Sequence, residues 1–595
     1  MAQGLAHRWL RWVQAGLVVV VTAALLVAAP PDARAQQVLP CDNGGPGSYA
    51  EVSRPARYDV LPQQVVTIPS DLDGVPIQMS IVRPDVPAGT RVPVIVEASV
   101  YYHALQTVDA RTCKARLTEN FVPQGYAVVL LAVRGSADSG GCMNLMGPHE
   151  RADIDQAITW LGERSWSNGA VGMSGLSYNG ATQWMAAAFD NPHLKTIVPA
   201  SGVPDLFDLL FGGGVPDWRG PSTIITNIYY AESAAFYLPG RSLSSTVQVL
   251  ACPEYADGNV ATLHAGATGE LDPLGYWAKR RYLPDVEENY RGSVLLVQGL
   301  QDWNVSPSQQ FPWVNDLVES RRQTPAPDDD IRIKYMLGQW GHAHPDGRRS
   351  DWADILLDWF DHELKGIASV DLGAVAEVQD SSGRWRTADA WPPAGLLTRL
   401  APTAEGQLAA DGGESEGVRT IGTDPFHQQT ANQTLNLPEE VRSSCENVTC
   451  ASFVTDAFAE ELRIAGRPQL RLGVTPRGPG GQLSVHLFSV DGSTVRRVGW
   501  GQVDLRFPTG VERGTPQANT VTPGERVEVD FPLQPLDAVV PAGAQLMMVV
   551  SQGTAHNRFP GMSGAPLDIH VGADNAALTF TRIQPDPSDF FEPPE

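Results

Sequence analysis

Gly175-Leu176-Ser177-Tyr178-Asn179-Gly180 lies between an apolar run, Ala170-Val171-Gly172-Met173, and a helix-forming stretch that begins at Ala181. A strand that turns sharply into a helix, with serine at the corner, exposes that hydroxyl as a nucleophile. Glycine two residues before the serine lets neighbouring backbone approach, and glycine after it relieves crowding where the helix starts. The helix start also brings N–H groups and a positive dipole end to a developing oxyanion. Ser174 has a glycine at the same preceding offset, but Leu176 at its +2 position would crowd a tight turn, so Ser177 is the better nucleophile. The spacing G-x-S-x-x-G is one residue longer than the common elbow.

The chain order of the remaining residues tests this reading. In an α/β-hydrolase fold the acid and then the histidine follow the serine, each on a loop after a later core strand. Ser293-Val294-Leu295-Leu296-Val297 reads as a buried strand, followed by the polar loop Gln298 to Val305 with Asp302 inside it. Ile331 to Leu337 alternates like a final strand and leads into Gly338-Gln339-Trp340-Gly341-His342. Ser177, Asp302 and His342 therefore stand in the required order and contexts. His342 would take the serine proton, while Asp302 would fix its tautomer and stabilise the imidazolium.

Other residues compete less well. His344 lies two positions past His342 and is the alternative base. His362 falls where Trp352, Ile355, Leu356, Trp359 and Phe360 recur at helical spacing, which predicts a helix surface. Asp285, Glu287 and Glu288 precede the acid strand instead of following it and read as solvated charge.

With these residues placed, the chain resembles the Xaa-Pro dipeptidyl-peptidase family of serine peptidases and its relatives, the cocaine-esterase-type hydrolases and α-amino-acid ester hydrolases. The family elbow G-x-S-Y-x-G is matched by Gly175 to Gly180, which accounts for the longer spacing. Gly299-Leu300-Gln301-Asp302-Trp303-Asn304-Val305 is similar to the G-L-N-D-W-N-V of the peptidase branch, and Trp340-Gly341-His342 to the family's W-x-H. Ser99-Val100-Tyr101-Tyr102 resembles S-P-Y-Y, with Val100 in place of proline. Gly125-Tyr126-Ala127-Val128-Val129 with Arg134-Gly135 is a further block, and the resemblance runs from about Asp73 nearly to the C-terminus. It implies an oxyanion hole made by the Tyr101 hydroxyl and the Tyr178 backbone N–H. It also implies a C-terminal jelly-roll domain and removal of Xaa-Pro dipeptides from peptide N-termini.

Composition and termini bound the setting. The 595-residue chain can bury a large core, and 18% charged residues favour a folded protein. A formal charge of −24 with no offsetting basic stretch argues against a nucleic-acid partner. A basic start at His7 to Arg11, an apolar run from Ala15 to Ala29 and Ala33-Arg34-Ala35 before Gln36 read as a cleaved secretory signal peptide over residues 1–35. That predicts a secreted protein without stable membrane insertion after cleavage, with an uncleaved anchor as the alternative. Six cysteines agree with export. Cys445 and Cys450 bracket a short loop, and Cys113 and Cys142 follow segments expected at the mouth of the site. Cys41 and Cys252 then form the third pair by elimination. No cysteine–histidine cluster has zinc spacing, so neither metal nor other cofactor is expected.

The expected architecture is an N-terminal arm (36–68), an α/β-hydrolase domain with a doubly wound, mostly parallel sheet (69–368), and a C-terminal β-sandwich (369–595). A helical cap is expected at about 201–290, carrying Trp218, Tyr229, Tyr230, Tyr276 and Trp277, none of which receives a binding role. Leu470, Leu472 and Val474, then Leu483, Val485 and Leu487, alternate as antiparallel strands do. Ala404 to Gly422, rich in glycine and small polar residues, reads as a loop or loose linker. Function follows as a secreted serine hydrolase acting on a peptide or a small ester or amide, with dipeptidyl-peptidase first. A carboxylic ester hydrolase or acylase on the same triad is the alternative. A non-catalytic polymer-binding protein is the alternative of another class, and oligomeric state is left open.

Overall fold

The computed structural model describes residues 51–102, 115–215, 257–258, 260–261, 272, 275–311, 314–315, 317, 332–410, 416–422, 450–511, 518–552, 565–584 and 586–594. The signal segment, Cys41, Cys113, Cys252, Cys445, Trp218, Tyr229, Tyr230 and most of the expected cap lie outside these residues.

Among the described residues ten strands build the catalytic half: β1 (Gln64–Pro69), β2 (Pro76–Val82), β3 (Val92–Ser99), β4 (Ala127–Ala132), β5 (Ser167–Leu176), β6 (Leu194–Ala200), β7 (Ser293–Gly299), β8 (Ile333–Gly338), β9 (Ala376–Gln379) and β10 (Trp385–Ala388). Their order across the sheet is β1-β2-β4-β3-β5-β6-β7-β8-β9-β10, closed by a short strand at Phe590–Phe591. Pairings from β4 through β9 are parallel, and the two edges are antiparallel.

Every residue of β3, β4 and β7 is buried, as a parallel sheet covered on both faces requires. Successive side chains point to opposite faces, so two cores form. Val94, Val96, Val129, Leu131, Val294 and Leu296 pack in one core, against the helices Pro148–Gly162 and Tyr178–Ala187. Ile95, Val128, Leu130, Leu295 and Val297 pack in the other, with Phe121 and with Trp352, Leu356 and Phe360 of the helix Trp352–Lys365. That helix ends at Gly366, which takes the left-handed conformation (φ 68°) favoured by glycine at a C-terminus.

Among the described residues the C-terminal half is a β-sandwich of a nine-stranded and a four-stranded sheet. Leu470, Leu472 and Val474 from one sheet meet Leu483, Val485 and Leu487 from the other in a common core. Three features depart from the sequence reading. The large sheet continues through β9, β10 and Phe590–Phe591, past the boundary drawn at 368/369. Within the stretch read as a loose linker, Leu408–Ala409 and Gly417–Ile421 are strands, the latter antiparallel to Leu567–Val571. Pairing with an existing strand overrides weak local propensity there. Residues 64–69 of the arm likewise form the edge strand β1.

Candidate active site

Ser177 sits at the corner between β5, near the middle of the sheet, and the helix Tyr178–Ala187. Its backbone is strained, at φ 65° and ψ −121°, a conformation a non-glycine residue holds only when its surroundings over-determine it. Its N–H donates to the Ala200 carbonyl (2.9 Å), and its own carbonyl accepts from the Gly180 and Ala181 N–H groups. Both glycines of the motif are needed by close approach. A Cβ at Gly175 would stand 2.5 Å from the Asn179 Cβ, and one at Gly180 would stand 2.8 Å from the Ala200 oxygen. Ser174, by contrast, lies within β5.

Asp302 and His342 meet across the loops that follow β7 and β8. The Asp302 carboxylate is fully buried, and its Oδ2 lies 2.8 Å from the His342 Nδ1. Its Oδ1 accepts from the backbone N–H groups of Asn304 (2.8 Å) and Val305 (2.9 Å), which fixes the carboxylate plane. The two loops are laced at the backbone, Leu300 N–H to the Gly338 carbonyl and Gln301 N–H to the Trp340 carbonyl. Gly299 is required there, since a Cβ would come within 2.3 Å of the Trp340 oxygen. The His342 Nε2 is buried and has no hydrogen-bond partner among the described residues. His344 stands at the N-cap position of a short turn at Pro345–Gly347, makes no side-chain capping bond there, and is not the partner of Asp302. His362 lies on the surface of its helix beside Glu363 and Arg332.

The third contribution comes from β3. Ser99 Oγ accepts from the Tyr101 N–H (3.0 Å), turning the chain so that the Tyr101 ring meets the Tyr178 ring edge-on at 6.3 Å. Tyr102 points away into the core, and its hydroxyl donates to the Glu97 carbonyl. Tyr178 occupies the first position of the elbow helix. Ser177, Asp302, His342 and Tyr101 all leave the C-terminal ends of parallel strands, where open α/β sheets form their ligand crevice.

Elsewhere, Trp277 packs against Phe207 and Phe211 as core. Asp285 pairs with Arg151 at the surface. Cys142 and Cys450 are each disulfide-bonded, and no described cysteine is free.

Two buried carboxylates near the elbow escaped the sequence reading. Glu97 contacts the Asn179 amide, and Glu150 contacts the Tyr178 hydroxyl. Glu97 was legible as the lone charge in Val92-Pro93-Val94-Ile95-Val96-Glu97-Ala98-Ser99. Glu150 carried only the signal of an acid in the first turn of a helix, which usually means capping.

Fold and geometry define an α/β-hydrolase with an appended β-sandwich. The sequence model of the X-Pro dipeptidyl-peptidase (S15) family matches residues 73–344, and that of the X-Pro dipeptidyl-peptidase C-terminal non-catalytic domain matches residues 371–569. The chain belongs to this family of serine peptidases and hydrolases. A Streptomyces avermitilis protein named "Putative Xaa-Pro dipeptidyl-peptidase" is 28% identical over 95% of this chain and 90% of its own length. The Xaa-Pro dipeptidyl-peptidase of Lactobacillus delbrueckii subsp. lactis is 24% identical over 78% of this chain and 64% of its own. Among solved structures, a CocE/NonD family hydrolase from Staphylococcus aureus shares the fold at a TM-score of 0.65 and 19% identity, covering 88% of this chain and 94% of that one. An α-amino acid ester hydrolase does so at 0.63 and 18%, covering 92% and 100%.

Proposed function

We propose that this protein is an exported dipeptidyl-peptidase that releases Xaa-Pro dipeptides from peptide N-termini through an acyl-enzyme on Ser177. The observation that carries the chemistry is the buried Asp302–His342 pair at 2.8 Å, which follows the C-terminal ends of β7 and β8 as the strained Ser177 elbow follows that of β5. Ser177 Oγ attacks the carbonyl of the residue before the scissile bond while His342 Nε2 takes its proton. The tetrahedral oxyanion is held by the Tyr178 N–H and the Tyr101 hydroxyl. Its collapse breaks the C–N bond, and the proton on His342 passes to the departing amine. Water then attacks the ester with His342 again as base, returning the proton to Ser177.

Specificity for Xaa-Pro rests on the names of the family relatives and on the acid loop Gly299 to Val305. Export is supported by the signal-like residues 1–35 and by disulfide bonds at Cys142 and Cys450. We assign their partners as Cys113 and Cys445.

The test compares Ala-Pro-anilide with its N-acetylated analogue. A dipeptidyl-peptidase must bind a free ammonium, so the blocked substrate should be at least ~10²-fold slower, the scale of a charged group losing its buried partner. Equal rates on both, or turnover confined to simple esters, would replace the peptidase reading with the esterase one.

A further inference from the structure

Behind the elbow lies a polar cluster that acyl transfer does not itself require. The Tyr178 side chain is fully buried. Its hydroxyl donates to the Glu150 Oε2 (2.6 Å) and accepts from the Met146 N–H (2.9 Å). The Glu150 carboxylate, also fully buried, accepts in addition from the N–H groups of Asn144 (2.8 Å) and Met146 (3.1 Å). The loop that supplies these donors is itself strained, with Leu145 at φ 49° and Met146 at φ 56°. The Arg280 guanidinium clamps it from the other side, bonding the Leu145 and Asn144 carbonyls.

Packing alone does not explain this arrangement. A phenylalanine at position 178 would fill the same space without burying a hydroxyl or a carboxylate, and such burial is costly unless fully bonded. Burial and the Glu150 charge hold the Tyr178 hydroxyl well above the ordinary tyrosine range, so it remains a donor. Burial raises the Glu150 carboxyl, opposed by the bonds from Tyr178, Asn144 and Met146. The tether also meets the site at two points. In the proposed mechanism Tyr178 is the residue whose N–H binds the oxyanion, and its ring meets the Tyr101 ring edge-on.

We propose that Glu150, through its bond to the Tyr178 hydroxyl, is a positioning residue for the oxyanion hole, setting both the Tyr178 amide and the Tyr101 side chain. This rests on the reading of Ser177 as nucleophile. Neither Glu150 nor the Tyr178 hydroxyl touches the reacting atoms. Each acts on the transition state by fixing donors that must lie within hydrogen-bonding distance of the oxyanion.

The experiment starts by labelling the wild type with a fluorophosphonate, so that the nucleophile reading is judged first and separately. An adduct elsewhere than Ser177 overturns that reading and this one with it. With Ser177 labelled, Tyr178→Phe and Glu150→Gln are titrated with the same reagent, and kinetics are expressed per active site, which removes any unfolded fraction. The substrate is the one turned over by the wild type in the anilide and ester panel, and the ligand is a dipeptide boronic acid that forms a tetrahedral adduct on serine.

We expect kcat to fall roughly tenfold in Tyr178→Phe with KM within about twofold, less than the ~10²-fold cost of deleting a donor outright. Boronate affinity should fall by the same factor as kcat, and the double variant should fall no further than the worse single, since both act on one bond, which Tyr178→Phe deletes and Glu150→Gln weakens by removing the charge. Unchanged kcat and boronate affinity per titrated site in Tyr178→Phe, with or without a lower Tm, would overturn the proposal. So would an equal rise in KM with kcat intact.

Discussion

The serine side of the site and the acid–histidine side are held by different parts of the molecule. The elbow is braced from within the catalytic sheet, by Ala200 on β6, by Glu150 beneath Tyr178, and by Gln183, whose amide donates to the Gly175 carbonyl. The acid and histidine loops are braced from the sandwich. Gln301 donates to Gln339, and Gln339 donates in turn to the backbone carbonyl of Asp537. Asp537 is fully buried in a bidentate pair with Arg463, and Arg463 continues to Asp589 and Arg386 next to the β9–β10 hairpin. A strained nucleophile needs rigid local support. The loop that carries His342 is held by its backbone bonds to the acid loop and, through Gln339, by the second domain.

Four predictions sharpen this contrast. The largest effect belongs to the chemistry shared by both sides: Ser177→Ala and His342→Ala should each lower kcat by ~10³-fold or more, because triad members act as a unit. Steady-state kinetics on the purified, folded variants check this. Next, Asp537→Ala strips the buried Arg463 of its partner and should reduce unfolding stability by about 3–5 kcal/mol in chemical denaturation. A loss below about 1 kcal/mol, the scale of an exposed pair, would mean that the Asp537–Arg463 pair does not anchor the segment whose backbone carbonyl receives Gln339. Tyr101→Phe removes one oxyanion donor and should cut kcat by roughly 10²-fold with little change in KM. If Tyr102→Phe proves the damaging change, the hydroxyl has been assigned to the wrong neighbour. The smallest effect is expected for His344→Ala, within about threefold in kcat, since His344 has no bond to the acid.

Those features that are local in sequence were legible there. The elbow glycines, the strand before Asp302 and the W-x-H turn announce themselves because each is fixed by contacts within a few residues. The amphipathic run that placed His362 on a helix surface is of the same kind. The Gly417–Ile421 strand was hidden because its partner, Leu567–Val571, lies some 150 residues away and supplies the order the segment lacks alone. Glu150 was hidden for the same reason: its role depends on a tyrosine 28 residues later, brought beneath it by the packing of two helices. The return of Phe590–Phe591 to the catalytic sheet, beside Trp385, has no signature in either segment alone.

The central claim is that Ser177 is the nucleophile, activated by His342 and Asp302. Treatment with a biotinylated fluorophosphonate followed by peptide mass spectrometry tests it most directly. The account predicts one covalent adduct, on the peptide carrying Gly175-Leu176-Ser177-Tyr178, absent in Ser177→Ala and strongly slowed in His342→Ala. Failure of the folded protein to label, or an adduct on any other serine, would contradict it.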